Sequence, residues 1–277
     1  MIKAAVIGNP IAHSLSPIIH NYFLQEFKIN GIYEAIKITK EDLKLEVSNL
    51  INQGYAGFNV TIPHKEEIYK LCHYKSKAAQ ITKAVNTVVI CEDKKLFGHN
   101  SDVDGFLNNL KKSQINFSLK DKNAFVIGAG GAARAIIYSL IKENVKEIFL
   151  TNRNQERAQN LIADFSQFNI KINFCEMPDF EKRLINCDLL INSTSLGMQG
   201  CAELKIDLSL IKESAIIYDI VYKPLMTNLL LAAQKNQNSF VTGIGMLVQQ
   251  ALIGFELWFK EKPQDTTKIT KILLEKL

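Results

Sequence analysis

Short hydrophobic runs rich in β-branched residues alternate with amphipathic stretches along most of this chain. The runs predict strands and the stretches predict helices, because hydrophobic positions recur at different periods in the two kinds of element. This alternation is typical of an α/β fold with parallel sheets and right-handed crossovers. The predicted strands are Lys3–Ile7, Tyr33–Ile38, Gly57–Val60, Thr87–Cys91, Asn123–Ile127, Glu147–Thr151, Lys171–Phe174, Leu189–Asn192 and Ala215–Asp219. The predicted helices between them are Pro17–Phe27, Lys40–Asn52, Ala132–Glu143, Gln155–Phe165 and Leu225–Gln234.

The clearest break in this pattern lies near Asn100. Before it, Thr87–Cys91 and Lys95–His99 predict a hairpin, because two short strand patterns flank a turn that contains Glu92-Asp93. After it, a predicted helix, Asp102–Lys112, leads through a polar connection at residues 113–122 to a new strand.

We therefore expect two domains, one over residues 1–101 and one over residues 102–243. Two further predicted helices, Gly245–Lys260 and Thr266–Leu277, follow the second domain. Their periodicity alone does not show which domain they pack against, or whether the last helix packs on its own subunit or on a partner.

The composition is that of an ordinary globular protein. The chain has 277 residues, of which 47% are hydrophobic and 22% charged, and this length is enough for one large core or two modest ones. No run approaches the roughly 18 consecutive apolar residues of a membrane-spanning helix. The first ten residues predict a strand rather than a secretory signal. We expect a cytoplasmic protein that does not enter a membrane.

Charge and cysteine usage exclude several classes of site. The net charge of +5 is spread along the chain, which is compatible with small anionic ligands and gives little support for nucleic-acid binding. The cysteines are odd in number and lack Cys-x-x-Cys spacing, so we expect reduced thiols and no metal site. They are Cys72, Cys91, Cys175, Cys187 and Cys201.

A glycine-rich turn follows the predicted strand Asn123–Ile127 and opens a predicted helix. Its residues fit the template G-x-G-x-x-G/A with Gly128, Gly130 and Ala133. In such a turn the first glycine allows the tight bend, the second allows close approach of a pyrophosphate, and the third position allows close helix packing. The free amides of the helix N-terminus bind the anion. The strand–turn–helix context therefore predicts a dinucleotide site.

The end of the next predicted strand indicates which dinucleotide is bound. Enzymes that use NAD usually have an acidic residue there, whereas this chain has Asn152-Arg153 with Arg157 one turn later. A guanidinium binds a 2′-phosphate that a carboxylate would repel. We therefore predict NADP as the cofactor.

Two serines precede the first predicted helix. Pro17 suits the first helical position, and Ser16 is expected to be the N-cap before it. Ser14 and Ser16 together place two hydroxyls at a helix N-terminus, where they can also bind a carboxylate.

A second polar segment, residues 57–65, leaves a strand at Pro63 and places Lys65 in the first turn of a helix. The positive end of the helix dipole there disfavours the ammonium form, which suits an amine that exchanges protons. The nearby Asn59 and Thr61 favour a functional role over that of an ordinary surface lysine. A third segment contains Asp102, which either caps the next helix or faces Lys65 as an acid–base partner.

Together these segments resemble the shikimate/quinate dehydrogenase family over nearly the whole chain. The motifs that carry the resemblance are residues 8–17 (GNPIAHSLSP), 59–65 (NVTIPHK), 84–87 (AVNT), 100–105 (NSDVDG), 128–132 (GAGGA), 152–157 (NRNQER), 192–198 (NSTSLGM), 218–222 (YDIVY) and 245–251 (GMLVQQA).

The resemblance implies a fold, a reaction and a set of site residues. The implied fold has an N-terminal open α/β substrate domain and a Rossmann-type doubly wound NADP domain, with the active site in the cleft between them. Residues 244–277 are expected to return to the first domain. The implied reaction is the reversible NADPH-dependent reduction of 3-dehydroshikimate to shikimate in aromatic amino-acid biosynthesis.

The resemblance also assigns roles to individual positions. Lys65 and Asp102 match the catalytic pair. The positions expected to bind the substrate are Ser14, Ser16, Asn59, Thr61, Asn86, Asp102, Tyr222 and Gln250. The positions expected to bind NADP are Gly128, Ala129, Gly130, Gly131, Ala132, Asn152, Arg153, Arg157, Ile220 and Gly243.

Three residues depart from the family's pattern. Ser101 stands where the family usually has Thr, and the hydroxyl is retained. Lys83 replaces a usual Gly, which is expected to change the turn before Ala-Val-Asn-Thr. Lys77 stands where many members have an acidic residue, which is expected to change the affinity for the cofactor.

Other functions are compatible with parts of this pattern. An NAD-dependent quinate/shikimate dehydrogenase shares the motifs, although Asn152-Arg153 favours NADP. A methylene-tetrahydrofolate dehydrogenase also combines a lysine with a dinucleotide domain, but Ser14 and Ser16 suit a small carboxylate better. A non-catalytic regulator that binds NADP or shikimate is disfavoured by the intact Lys65 and Asp102. Whether the chain is a monomer or a homodimer is open.

Overall fold

The computed structural model describes residues 1–114 and 117–277. The chain divides into two compact units, the first formed by Met1–Gly105 with Leu247–Lys276 and the second by Phe106–Met246 with Leu277. Residues 115 and 116, which belong to the predicted polar connection, lie outside the described residues.

Among the described residues, the first unit has one sheet of six strands in the order β2-β1-β3-β5-β6-β4. Strands β1, β2 and β3 are parallel, whereas β5 pairs antiparallel with both β3 and β6. The elements are β1 (Ile2–Gly8), α1 (Ser16–Glu26), β2 (Gly31–Lys37), α2 (Leu43–Asn52), β3 (Tyr55–Val60), α3 (Lys65–Leu71), β4 (Tyr74–Lys75), α4 (Lys77–Thr82), β5 (Thr87–Ile90), β6 (Leu96–His99) and α11 (Thr267–Leu274). Two further helices, α5 (Asp102–Ser113) and α10 (Gly243–Phe259), contain residues of both units.

This topology brings four chain segments to one edge of the first sheet. The parallel strands β1 and β3 end there, and the antiparallel β5 begins there, since Asn59 is paired with Thr87. Strand β6 ends at the same edge, because Thr87 is also paired with His99. The residues that follow β1, β3 and β6, together with those that precede β5, therefore lie side by side.

The second unit has the strand order β9-β8-β7-β10-β11-β12, with every adjacent pair parallel. In chain order this is 3-2-1-4-5-6, the doubly wound arrangement of dinucleotide-binding domains, whose ligands bind where the strand order reverses. That reversal lies between β7 and β10. The elements are β7 (Asn123–Ile127), α6 (Gly131–Lys142), β8 (Glu147–Thr151), α7 (Gln155–Asp164), β9 (Lys171–Phe174), α8 (Met177–Arg183), a 3₁₀ turn (Leu184–Asn186), β10 (Leu189–Asn192), β11 (Ile216–Asp219), α9 (Asn228–Lys235) and β12 (Ser239–Val241).

Local chemistry explains where several helices begin. Ser76, Asn154 and Thr227 each precede a helix, and each side-chain oxygen accepts a hydrogen bond from a main-chain N–H in the first turn. Such caps satisfy donors that have no partner within the helix.

One sequence-based expectation was wrong. Ser16 is not the N-cap of α1: the helix begins at Ser16, and Leu15 before it is already in the right-handed helical conformation. The turn closed by the Ser14 N–H to the Ile11 carbonyl, at 3.0 Å, sets the helix entry instead. The hairpin predicted for β5 and β6 is present and pairs antiparallel with β3, so the first sheet is mixed.

Within the part of the chain that the structure describes, no helix has both the length and the apolar character needed to span a membrane.

Candidate active site

The side chains of Lys65 and Asp102 meet at the polar edge of the first sheet. The Nζ of Lys65 lies 2.5 Å from Oδ2 of Asp102, and 17% and 7% of the two side chains are exposed. The main-chain carbonyl of Lys65 accepts a hydrogen bond from the N–H of Val85 at 2.9 Å, which fixes the start of α3 against the segment that precedes β5. A charge-assisted hydrogen bond with this little exposure to water is stronger than one at the surface.

Asn86 connects this ion pair to the neighbouring strands. Its Nδ2 donates to Oδ1 of Asp102 at 2.9 Å, and its Oδ1 accepts from the N–H of Ser101 at 2.7 Å. Because the Ser101 N–H can only donate, it must face the oxygen of the Asn86 amide and not its nitrogen, which fixes the orientation of that amide group. The Ser101 hydroxyl lies 3.0 Å from that of Thr87 and 3.4 Å from Oε1 of Gln250. The Ser101 hydroxyl is therefore part of the cluster.

Other predicted substrate residues occupy the same edge. Asn59 is buried at the end of β3, and Thr61 is half-buried just after it. Ser14 and Ser16 follow β1, and the N–H of Ser16 donates to Oγ of Ser14 at 3.3 Å. Gln250 in α10 is buried, with its Oε1 3.4 Å from Nδ2 of Asn86.

The glycine turn of the second unit has the conformation that the sequence predicts. Gly128 has φ of 110°, and a Cβ there would lie 2.7 Å from Oγ of Ser193, so both the backbone angle and the space favour glycine. A Cβ on Gly130 would meet nothing nearer than an Arg157 guanidinium nitrogen at 3.9 Å. Ala133 in the third position is fully buried. The turn thus leaves room beside Gly130 at the N-terminus of α6, where anions bind.

Asn152, Arg153 and Arg157 surround the end of β8. The Arg157 Nε donates to the carbonyl of Ala129 at 3.0 Å, which holds this arginine against the glycine turn. Arg153 is exposed, and across residues 1–114 and 117–277 its guanidinium has no ion-pair or hydrogen-bond partner. The Asn152 amide donates to the carbonyl of Asn154 at 2.7 Å.

A buried carboxylate organises the ends of β10 and β11. Oδ1 of Asp219 accepts from Nδ2 of Asn192 at 2.9 Å and from the N–H of Val221 at 3.0 Å, and Oδ2 accepts from the Thr227 hydroxyl at 2.7 Å. Burial raises the pKa of Asp219 to about 6, although these hydrogen bonds act in the opposite direction.

The loop after β11 carries two predicted cofactor or substrate positions. Ile220 follows Asp219 directly, and its N–H donates to the carbonyl of Asn192 at 3.1 Å. A Cβ on Gly243 would lie 2.1 Å from the Ile220 carbonyl oxygen, so only glycine allows this approach. Tyr222 is half-buried in the same loop.

Comparison with known proteins places these features in one family. The profile described as "Shikimate dehydrogenase substrate binding domain" matches residues 6–88, and that described as "Shikimate / quinate 5-dehydrogenase" matches residues 109–220. The NADP⁺-dependent shikimate dehydrogenase of Paramagnetospirillum magneticum is 39% identical, over 98% of this chain and 97% of its own length. The chain belongs to the shikimate dehydrogenase family.

Solved structures of the family match this chain over nearly its full length. The shikimate 5-dehydrogenase of Thermus thermophilus, solved with NADP(H) and shikimate, is 32% identical with a TM-score of 0.87, and the match covers 100% of both chains. The quinate dehydrogenase of Corynebacterium glutamicum, solved with NAD, is 26% identical with a TM-score of 0.89, and the match covers 99% of both chains. The α/β fold with a doubly wound dinucleotide-binding part is therefore confirmed.

Sequence reasoning missed several members of the first-unit cluster. Thr87 and Asn100 lie within or beside the family motifs, but neither was assigned a role. Nδ2 of Asn100 donates to the Ala84 carbonyl at 3.0 Å, and its Oδ1 accepts from the N–H of Asp102 at 3.2 Å. The signals available for them were their places in the motifs AVNT and NSDVDG and, for Asn100, its position two residues before Asp102. Among the described residues, no group of three or more His, Cys, Asp or Glu side chains is arranged to hold a metal ion.

Proposed function

We propose that this protein is an NADP-dependent shikimate dehydrogenase that catalyses the reversible reduction of 3-dehydroshikimate to shikimate. The observation that carries the proposal is the Lys65–Asp102 pair, at 2.5 Å and largely buried, in a chain whose relatives carry that name. The first unit is proposed to bind the substrate and the second unit to bind NADP, in agreement with the description of the profile that matches residues 6–88.

The substrate is proposed to bind at the polar edge of the first sheet. Ser14 and Ser16 are assigned to its carboxylate, because their hydroxyls lie at the N-terminus of α1, where anions are favoured. Thr61, Asn86 and Gln250 are assigned to its ring hydroxyls, together with Asp102 and Tyr222. Asn59, whose amide is occupied by Tyr33, Thr87 and the Asn86 carbonyl, is assigned to the support of these residues.

The residues of the second unit fit NADP. The turn Gly128–Ala132 leaves the space beside Gly130 that a pyrophosphate needs. Arg153 has an exposed guanidinium, Asn152 lies next to it, and Arg157 is held on the turn. These residues are assigned to the 2′-phosphate side, and Ile220 and Gly243 to the nicotinamide end.

The chemistry divides between cofactor and protein. When bound, NADPH supplies the hydride that reduces the C3 carbonyl. The Lys65 ammonium donates a proton to the C3 oxygen as the alkoxide forms, and in the reverse direction the amine accepts the proton from the C3 hydroxyl. Asp102 orients the amine through the 2.5 Å contact and is assigned to the C4 hydroxyl. Asn86 in turn orients Asp102.

The test is the appearance of reduced nicotinamide when the purified protein is mixed with shikimate and NADP. We expect turnover in the wild type. Lys65→Ala is expected to lower kcat by about 10²–10⁴-fold, the usual contribution of a general acid or base, with little change in the KM for shikimate. Asp102→Asn is expected to lower kcat severely as well, because it removes the charge that orients the amine.

Parallel assays distinguish the alternatives. Turnover with NAD in place of NADP, or with quinate in place of shikimate, would keep the catalytic pair and overturn the specificity. Ligand binding without turnover would indicate a non-catalytic regulator. A Lys65→Ala protein that keeps its kcat and loses substrate binding would refute the assigned role of the lysine.

A further inference from the structure

A chain of hydrogen bonds leads from a buried tyrosine to the acid–base pair. The Tyr33 hydroxyl donates to Oδ1 of Asn59 at 2.5 Å, and Nδ2 of Asn59 donates to Oγ1 of Thr87 at 3.1 Å. The Thr87 hydroxyl donates to Oδ1 of Asn86 at 3.1 Å, and Nδ2 of Asn86 donates to Oδ1 of Asp102 at 2.9 Å. Every donor in the series points toward Asp102.

The tyrosine at the start of this series is held on three sides. Tyr33 is 2% exposed in β2, and its main-chain N–H and carbonyl are both bound by the Asn21 side chain, at 3.0 and 2.8 Å. Its ring stacks on His20 with the centroids 3.9 Å apart. Burial raises the pKa of the Tyr33 phenol well above its ordinary value, so the hydroxyl remains a donor at any pH at which the enzyme would be assayed.

The Asn59 side chain is committed to contacts within the protein. It is 4% exposed, its oxygen accepts from Tyr33, and its two amide hydrogens face Thr87 and the main-chain carbonyl of Asn86, the latter at 3.1 Å. A reversed amide would set its oxygen against that carbonyl. Because Thr87 receives a hydrogen from Asn59, the hydrogen of its own hydroxyl faces Asn86 directly or the Ser101 hydroxyl, which lies 3.0 Å from Thr87 and 3.1 Å from Oδ1 of Asn86.

We propose that Tyr33, acting through Asn59 and Thr87, is a positioning residue that keeps Asn86, whose amide orientation is set by the Ser101 N–H, in the place from which it binds Asp102. This inference rests on the proposed function, because it requires Asp102 to act in the reaction. Removal of the Tyr33 hydroxyl leaves a buried acceptor on Asn59 without its donor. The amide then shifts to regain a partner, and small displacements of this kind at a catalytic group lower the rate.

Kinetics of the full-length Tyr33→Phe protein test the inference. We expect kcat for shikimate oxidation to fall roughly tenfold, less than the loss of the general acid itself, while the KM for NADP stays unchanged. The matched control is Tyr55→Phe. Tyr55 is a buried tyrosine in β3 of the same sheet, and its hydroxyl donates to Glu34 at 2.8 Å, outside the series. This control is expected to keep the wild-type kcat.

A double-mutant cycle with Thr87→Val tests the route. If the effect passes through Thr87, the single substitution lowers kcat and Tyr33→Phe adds little to it. Additive losses of kcat, or a wild-type kcat in Tyr33→Phe, would overturn the inference while leaving the proposed function intact. If Tyr33→Phe yields too little folded protein, a wild-type kcat in Thr87→Val alone overturns it. Absence of turnover in the wild type would overturn the proposed function itself.

Discussion

The environment of Lys65 and Asp102 distinguishes them from ion pairs at the surface, a feature they share with Arg134 and Asp164, whose side chains are 9% and 19% exposed. Their side chains are 17% and 7% exposed, whereas those of Lys70 and Glu67, also in contact, are 65% and 52% exposed. Surface pairs contribute little, because water and salt screen them. A largely buried pair holds its geometry more firmly, and removing one partner leaves the other charge without compensation. This explains why each member of the pair is expected to be intolerant of substitution.

At the other site, Arg153 is expected to select NADP over NAD. The exposed guanidinium has no competing carboxylate among the described residues, so it is available for a 2′-phosphate. Arg153→Ala is expected to weaken NADP binding by about 10- to 100-fold, in line with the roughly 1.5–3 kcal/mol of a hydrogen bond to a charged group. The affinity for NAD, which lacks that phosphate, is expected to stay close to the wild type. Binding titrations with both cofactors measure the ratio.

Arg183→Ala is the control for this prediction. Arg183 is also exposed and belongs to the same unit, but its guanidinium lies over the ring of Phe149, 5.8 Å from the centroid. Its loss changes the net charge equally and is expected to leave the NADP-to-NAD ratio unaltered. An equal loss of both cofactors in Arg153→Ala would rule out the 2′-phosphate assignment.

The sequence predicts the residues of the site better than their contacts. Lys65, Asp102 and Asn86 each lie in a motif, because their chemistry requires specific residue types. Tyr33 carries no such signal, since a tyrosine in a strand pattern is most often part of the core. Its role depends on the strand order, which places β1 and β3 between Tyr33 and Thr87, and on the register, which is set by tertiary packing.

At the scale of elements, the turn after α4 places a strained residue directly before a segment of the site. Lys83 has φ of 49° and ψ of 32°, the left-handed conformation that glycine adopts without strain. Ala84, Val85 and Asn86, which follow it, are all buried. Lys83 therefore takes up the backbone strain at an exposed position.

Lys83→Gly is expected to be about 1 kcal/mol more stable than Lys83→Ala. A residue with a side chain costs roughly 1–2 kcal/mol in the left-handed region, and glycine avoids this cost. The greater flexibility of glycine in the unfolded chain offsets part of the gain. Both variants lose the lysine side chain, so their difference reports the backbone alone. Urea unfolding measures the two free energies of unfolding. A glycine variant no more stable than the alanine variant would contradict the prediction.

The longer elements could be predicted from the sequence, and the shortest ones could not. Strands β7, β8 and β10 have the predicted bounds, because each is an apolar run suited to a buried parallel sheet. The edge strand β9 also has the predicted bounds, although its residues are exposed or half-buried. By contrast, β4 and β12, with two and three residues, were missed. A strand of that length has no period to detect and forms only because a neighbour offers backbone partners.

At the scale of the molecule, the first unit is assembled from two separate parts of the chain. Trp258 of α10 donates from Nε1 to the Val88 carbonyl at 2.9 Å. Gly57 in β3 makes room for it, since a Cβ there would lie 2.2 Å from Nε1 of Trp258. The C-terminal residues thus cover one face of a sheet formed by the first hundred. Hydrophobic periodicity left their placement open because it shows only that a helix has an apolar face.

Two buried groups give folding stability opposite dependences on pH. Burial lowers the pKa of His20 from 6.5 to about 3, an effect that the nearby Asn59 side chain offsets only in part. The fold therefore favours neutral His20, and stability is lost as the pH falls below 6.5. Burial raises the pKa of Asp219 from 3.8 to about 6, so the fold favours its protonated form and stability is gained as the pH falls from about 6. Between about 4 and 6 the two effects partly cancel.

His20→Phe is expected to separate these effects. The substitution keeps an aromatic ring beside Tyr33 and removes the titrating group, while Asp219 is present in both proteins and cancels in the comparison. Below pH 6.5 the wild type is expected to lose about 1 kcal/mol of unfolding free energy per pH unit relative to the variant, because the unfolded chain binds a proton that the buried imidazole cannot. Urea unfolding at several pH values from 7.5 to 4.5 measures the difference. Any packing defect of the larger ring shifts the unfolding free energy of the variant equally at every pH, so only the pH dependence of the difference in unfolding free energy reports His20. If the unfolding free energies of the two proteins run parallel with pH, the histidine is protonated as readily in the folded protein as in the unfolded chain.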